Sequence, residues 1–285
     1  MDERTTVYVS CDICPHECAI PRGGLGFCGA RLNDGGVLTP ISYGEITSIA
    51  LDPIEKKPLA HYRPGSKILS VGSFGCNHAC PFCQNHEIAD ARGEFGLRMS
   101  DHMTPVELAD LAEKMRDHGN IGVAYTYNEP FVNWEFLRDT MPLVRGRGMV
   151  NVVVTNGYIN EEPLRKLLPY IDALNIDLKG FSQGFYDTMG APSGLETVKR
   201  TIELARESAH VEVTTLVIPG ENDTVREMNA EATWLASIDP GICLHITRFF
   251  PRHRMLDRPP TPISTLERLA ATASIHLENV VLGNV

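Results

Sequence analysis

The sequence contains no run of the roughly 20 apolar residues that a membrane-spanning helix requires. Its start, Met1 to Thr6, lacks the basic-then-apolar pattern of an export leader, so a cytoplasmic protein is expected. Basic residues are also in short supply. Lysine and arginine total 26 against 36 acidic residues, a net charge of −10, and a phosphate backbone would be repelled on average. Neither a nucleic-acid partner nor a membrane is therefore expected. There is no low-complexity tract and no internal repeat beyond an alternation of strand-like and helix-like segments. What is present, 43% hydrophobic and 22% charged residues over 285 positions, can bury a real core. Disordered and collagen-like architectures are excluded, and the length allows one large domain with room for a small appendage.

Up to about residue 65 the chain is rich in glycine, proline and cysteine, and reads as an accessory segment, 1–65, with short β-like runs such as Ile46 to Ala50. From residue 66 to 285 short apolar runs alternate with amphipathic stretches of helical length, the mark of βα units around a parallel sheet. Strands are expected at 68–74, 122–126, 150–155, 173–178, 211–218 and 242–247. Helices are expected at 104–118, 132–146, 161–168, 195–207, 225–238 and 264–274. Thr104-Pro105 with Glu107, and Asn160 with Glu161, read as capped helix starts. A complete eight-stranded barrel takes about 250 residues, more than 66–285 offers. The expected fold is α/β: a partial (β/α)6 TIM-like barrel with a small N-terminal cysteine-rich appendage, and 280–282 adds a final edge strand.

Cysteine is distributed very unevenly. Cys11, Cys14, Cys18 and Cys28 are separated by two, three and nine residues, Cys76, Cys80 and Cys83 by three and two, and Cys243 stands alone in an apolar run. A long chain without an export pattern makes metal or iron–sulfur ligation a better reading than disulfides. The quartet closes a tetrahedral shell by itself, and four thiolates suit zinc or an iron–sulfur cluster equally well. Cys243 reads as a small buried hydrophobe. The triad follows the first barrel strand, where such folds place their chemistry. Three thiolates with no fourth cysteine nearby leave one iron of a [4Fe–4S] cluster open; on spacing alone, zinc held by the triad and His86 is an equal alternative. A non-catalytic zinc or iron–sulfur module is the rival from another functional class, and it does not explain why polar residues recur at successive strand ends.

The triad spacing, with Phe82 before the last cysteine, resembles the radical S-adenosylmethionine (SAM) superfamily. Ser48 to Pro58, Ser73-Phe74-Gly75-Cys76-Asn77 and Tyr125-Thr126-Tyr127-Asn128-Glu129-Pro130 look like the AmmeMemoRadiSam system radical SAM enzymes, relatives of pyruvate formate-lyase activating enzyme. The resemblance implies a [4Fe–4S] cluster on Cys76, Cys80 and Cys83 whose open iron binds SAM. Reductive cleavage of SAM then yields a 5′-deoxyadenosyl radical that abstracts hydrogen from a substrate, with a low-potential flavodoxin or ferredoxin as electron donor. It also implies SAM contacts from Phe82, Asn128, Glu129, Asn156, Asp177 and Lys179. Tyr127-Asn128 stand where the family has two glycines before the glutamate. Asn175, Asp177 and Lys179 alternate with Ile176 and Leu178, so the polar three share one strand face; Asp177 and Lys179 as an internal ion pair, and Glu129 as a helix N-terminal carboxylate, are the plain alternatives. The tyrosine–histidine pair of glycyl-radical activases has no histidine counterpart in Arg248-Phe249-Phe250-Pro251, and His245 or His253 are the nearest stand-ins. The expected function is hydrogen abstraction from a small molecule or peptide; activation of a glycyl-radical partner protein is the alternative.

Overall fold

The computed structural model describes residues 8–285; the leader reading at Met1 to Thr6 and the first seven positions of the accessory segment lie outside the described residues. Among the described residues the principal sheet has eight strands: β1 (Ser48–Pro53), β2 (Lys67–Gly72), β3 (Asn120–Tyr125), β4 (Val150–Thr155), β5 (Ala173–Asp177), β6 (His210–Val217), β7 (Cys243–Arg248) and β8 (Asn279–Gly283). They lie side by side in chain order, β1 antiparallel to β2 and every other pair parallel. The six expected parallel strands and the final edge strand are all there, forming the partial barrel. The new element is β1. It comes from within residues 1–65 and covers the edge of β2.

Six helices, α1 (Pro105–Lys114), α2 (Trp134–Gly146), α3 (Glu161–Leu167), α4 (Gly194–Arg206), α5 (Val225–Ile238) and α6 (Ile263–Ala273), pack on the outside of the sheet. Their apolar stripes (Leu108, Leu137, Met141, Leu164, Val198, Leu235, Leu266) meet the outward side chains of the strands (Val153, Leu174, Ile176, Val213, Leu244) in one continuous core. α1 starts as its sequence predicts: Thr104 Oγ1 accepts from the Glu107 amide at 3.3 Å, and the Glu107 carboxylate accepts from the Thr104 amide at 2.8 Å. α3 does not. Asn160 makes no side-chain cap; its Nδ2 donates to the Asp12 carbonyl at 2.7 Å and its amide to the Ile13 carbonyl at 2.9 Å. That asparagine anchors the N-terminal segment, whose paired strands Tyr8–Ser10 with Ala19–Pro21 and Arg31–Asp34 with Val37–Pro40 are antiparallel ribbons. A bidentate ion pair from Arg31 to Glu135, at 2.9 and 2.5 Å, docks the same segment on α2.

Inside the barrel the register stacks inward residues in rows: Asn175 beside Glu212 and Glu212 beside Cys243, then Thr214 beside His245, then Leu216 beside Thr247. Residues 54–66 run across the bottom. Ile54 and Leu59 bury fully against Ile68, Ala124, Val150, Val152 and Ala173. A polar staple completes the closure. Glu212, wholly buried, accepts from the amides of Ala60 (2.9 Å) and His61 (2.8 Å) and meets His210 Nε2 at 2.9 Å and His245 Nε2 at 2.6 Å. Burial alone would raise the Glu212 pKa, but its two histidine and two amide partners hold it well below the carboxylate range. Cys243 is buried as expected, with its thiol 3.6 Å from His245 Nε2.

The staple makes a stability prediction. Glu212→Gln leaves two buried donors unmatched and should lower the unfolding free energy by roughly 2–4 kcal/mol. Urea denaturation monitored by circular dichroism measures this; an unchanged midpoint would mean that Ile54, Leu59 and the Asn175 bond to the Pro58 carbonyl hold the strap without Glu212.

Candidate functional site

The loop after β2 carries the triad, and its path is dictated by close packing. Gly75 has φ +86°, and a Cβ there would meet the Cys28 carbonyl at 2.6 Å and Ala30 Cβ at 2.9 Å, so only glycine fits. Asn128 fixes the start of the loop from the end of β3: its Oδ1 accepts from the Ser73 amide at 3.0 Å, and its Nδ2 donates to the carbonyls of Phe74 (3.2 Å) and Gly75 (3.0 Å). From the end of β4, Asn156 Nδ2 reaches Asn77 Oδ1 at 2.8 Å and Cys76 Sγ at 3.7 Å. Glu129 ties the two strand ends together. It accepts from Phe131 N (3.0 Å), Thr155 Oγ1 (2.7 Å) and Asn156 N (2.8 Å).

Above this scaffold a cavity of about 700 Å³ opens at the C-terminal ends of the strands. Cys76, Cys80 and Cys83 line it, as do Phe82, Asn128, Glu129, Asn156, Asp177 and Lys179. The sequence-derived set is thus brought together. Phe82 is buried and stacks on Phe185 with ring centroids 6.0 Å apart. Lys179 Nζ lies 2.5 Å from Asp177 Oδ2. Burial would lower the lysine pKa, yet the Asp177 carboxylate, paired with it, holds it well above the ordinary value. His86, His245 and His253 are not among the lining residues. His86 instead packs its ring on His253, with centroids 4.3 Å apart, and His245 belongs to the Glu212 staple.

The triad is chemically matched to a metal cluster. Burial pushes the Cys80 thiol up to about 12 and, with Glu129 close by, Cys76 well above the usual thiol range, so a bound cation is needed to make them thiolates. Among the described residues the one group of three or more Cys, His, Asp or Glu ligand atoms lying within 4.8 Å of one another is Glu212, Cys243 and His245. The three triad sulfurs are therefore not all within that distance of one another, as a single tetrahedral zinc would require and a multi-iron cluster does not. His78, between Cys76 and Cys80, lines the same cavity with both ring nitrogens buried and unpartnered.

Three further lining residues were not anticipated from the sequence as site residues. Lys57, buried on the strap, pairs with Asp52 at 3.1 Å and sits 4.7 Å over the Tyr127 ring, and the Tyr127 hydroxyl donates to Asp52 at 2.9 Å. Tyr127 has φ +74°, a glycine-like conformation that costs a tyrosine about 1–3 kcal/mol. The backbone therefore keeps the shape of a glycine at that position while adding a side chain that reaches Asp52. Arg248 donates to the Thr261 carbonyl at 2.8 Å and has no ion-pair partner among the described residues. Periodicity could not reveal Lys57, because it lies on the strap rather than on a strand.

Comparison with known proteins follows the same lines. A family model described as the radical SAM superfamily matches residues 70–232. MJ0808 of Methanocaldococcus jannaschii, described as an uncharacterized protein, is 42% identical over 97% of this chain and 81% of its own length. The isethionate sulfite-lyase activating enzyme of Oleidesulfovibrio alaskensis is 24% identical over 77% of this chain and 69% of its own. Among solved structures, Streptococcus suis SuiB bound to S-adenosylmethionine shares the fold with a TM-score of 0.58, at 11% identity, over 76% of this chain and 52% of that one.

Burial pushes the Glu129 carboxyl up to about 7, against the opposing pull of the Asn156 and Phe131 amides and the Thr155 hydroxyl. Its contribution to stability is complete below the unfolded value near 4.5 and is lost as pH rises through 7, about 3 kcal/mol across that window. In the metal-free protein Glu129→Gln should flatten the pH dependence of urea stability between pH 4.5 and 7 relative to wild type. Parallel curves for the two proteins would show that Glu129 ionises as freely folded as unfolded.

Proposed function

The chain belongs to the radical SAM superfamily, whose cofactors are a [4Fe–4S] cluster and S-adenosylmethionine, and from that premise we propose that it abstracts hydrogen from a small molecule or peptide bearing an anionic group. The observation that carries this reading is the single cavity wall on which Cys76, Cys80 and Cys83 stand beside Asp177 and Lys179. When bound, the cluster and SAM supply one-electron cleavage of the sulfonium and a 5′-deoxyadenosyl radical.

The protein's own residues do the rest. Asn128, Asn156 and Glu129 fix the cysteine loop against the ends of β3 and β4, so that Cys76, Cys80 and Cys83, which line the cavity, would hold the cluster at its wall. Lys179, held by Asp177, offers an ammonium to the carboxylate of SAM, and Phe82, backed by Phe185, gives the wall an apolar patch that keeps water from the reacting end. The remaining lining cations are Lys56, Lys57, Arg248 and Arg252. Asp52 answers both lysines, Arg248 and Arg252 have no ion-pair partner among the described residues, and Glu129 is committed to its three donors. In a protein of net charge −10 this wall is locally positive, and a carboxylate or phosphate on the substrate complements it. The likeness to isethionate sulfite-lyase activating enzyme supports a second reading, in which the substrate is a glycine in a partner protein.

Two outcomes test the proposal. After anaerobic reconstitution and reduction, the protein should release 5′-deoxyadenosine from SAM; zinc in place of iron, with no acid-labile sulfide, would remove the radical reading. Lys179→Ala should weaken SAM binding at least tenfold, measured by equilibrium dialysis, while iron content stays at the wild-type level. Unchanged affinity would return Lys179 to a purely structural pair with Asp177.

A further inference from the structure

The N-terminal quartet is the feature that the cavity chemistry leaves unused, and three observations bear on it. The first is spacing. Zinc with four Zn–S bonds of about 2.3 Å brings its sulfurs to about 3.8 Å from one another. No three of Cys11, Cys14, Cys18 and Cys28 come within 4.8 Å of one another, although all eight cysteines carry free thiols. The four sulfurs are therefore not gathered at the spacing of one zinc shell, a spacing that a multi-iron cluster does not require.

The second observation is the cradle around those sulfurs. The Phe27 amide donates to Cys18 Sγ at 3.4 Å, and the amides of Ile13, His16 and Ala30 donate to the thiols of Cys11, Cys14 and Cys28. Burial raises the thiols of Cys11, Cys14 and Cys28, and these backbone donors oppose it, so each sulfur has a donor ready for the thiolate that a bound metal would create. Arg31, buried and paired with Glu135, lies close enough to Cys11 and Cys28 to interact electrostatically with both, placing a fixed guanidinium beside two of the four. Hydrogen bonds to sulfur and nearby charge are the levers that set an iron–sulfur potential.

The third observation is position. The Cys76 amide donates directly to the Cys28 carbonyl at 3.2 Å, the Asn77 side chain hydrogen-bonds the Cys14 thiol, and His16 Nε2 meets the Asn77 carbonyl at 2.9 Å. Quartet and triad therefore share a wall one peptide thick. Cys14 and Cys18 are half-buried and Phe27 is 38% exposed, whereas none of the four lines the cavity. The quartet thus has one side near solvent and the other against the triad.

We infer that Cys11, Cys14, Cys18 and Cys28 hold a second iron–sulfur cluster, rather than zinc, and that it passes single electrons from a low-potential donor protein to the cluster at Cys76. One electron leaves the donor, a ferredoxin or flavodoxin, and reduces the quartet's cluster by one unit of charge; the same electron then moves to the triad's cluster, and the quartet's returns to its oxidised state. No bond is made or broken and no proton moves. The metal identity stands on the quartet alone, while the relay rests on the radical SAM reading of the triad.

The test uses the full chain, purified anaerobically, in three forms: wild type, the Cys76→Ala, Cys80→Ala, Cys83→Ala triple variant, and Cys18→Ser, whose hydroxyl can still ligate iron. The triple variant should keep half the wild-type iron and acid-labile sulfide and give a reduced EPR signal that SAM does not alter. One zinc per chain without sulfide in that variant overturns the cluster assignment whatever the triad does. Cys18→Ser should retain iron, shift the midpoint potential of the quartet's signal, and slow reduction of the SAM-sensitive signal by reduced ferredoxin at least tenfold, with SAM affinity unchanged. An unshifted potential, or an unchanged reduction rate, overturns the relay; loss of SAM binding from wild type itself would instead count against the function proposed for the triad.

Discussion

The structure depends most on how three buried polar side chains hold one loop. Asn128, Asn156 and Glu129 sit at the ends of neighbouring parallel strands, and among them they fix the peptide that carries Cys76. Buried polar groups of this kind are costly unless every donor and acceptor is matched, and a fully matched network in a low-dielectric interior is correspondingly rigid. Rigidity is what an iron–sulfur site with one open corner demands, since the incoming ligand must find the open position in a fixed place. Three of the residues expected to contact SAM thus first serve as the frame for the cysteines.

The barrel's other end explains why that frame can stand over an open cavity. An open sheet of parallel strands has an unpaired edge and an exposed bottom. β1 covers the edge of β2, and the strap at 54–66 seals the bottom with Ile54, Leu59 and the carboxylate of Glu212. The same strap carries Lys57 up into the cavity, where Asp52 and Tyr127 orient it. Closing the core and shaping the substrate wall are therefore done by one continuous segment, which runs from β1 to β2.

Much of this was legible in the sequence where periodicity speaks. Alternation in Asn175 to Lys179 placed three polar residues on the inner face, and the apolar runs located the parallel strands. Cysteine spacing singled out both cysteine groups, and the structure puts the triad on the cavity wall with the quartet directly behind it. Other features depended on contacts distant in sequence and could not be read locally. Asn160 looks like a helix cap, but the peptide at Asp12 and Ile13 claims it. Residues 48–53 look like part of an appendage, but hydrogen bonding to β2 makes them barrel. The short helix Gln183–Thr188, which brings Phe185 to Phe82 and Tyr186 to the Lys179 amide, has too few residues for a helical period to show. Tyr127 departs from a glycine pattern in sequence while keeping a positive φ in space, because Gly72 and Asp52 leave room for its ring.

The function turns on whether SAM binds at a cluster held by Cys76, Cys80 and Cys83. Electron–nuclear double resonance on the reduced protein with SAM carrying ¹⁵N at the amino group and ¹⁷O at the carboxylate measures this directly. Resolved hyperfine coupling from both nuclei to the cluster, absent when the three cysteines are alanine, is the predicted result. Coupling that survives in the alanine variant, or no coupling in the wild type with SAM bound, would contradict it.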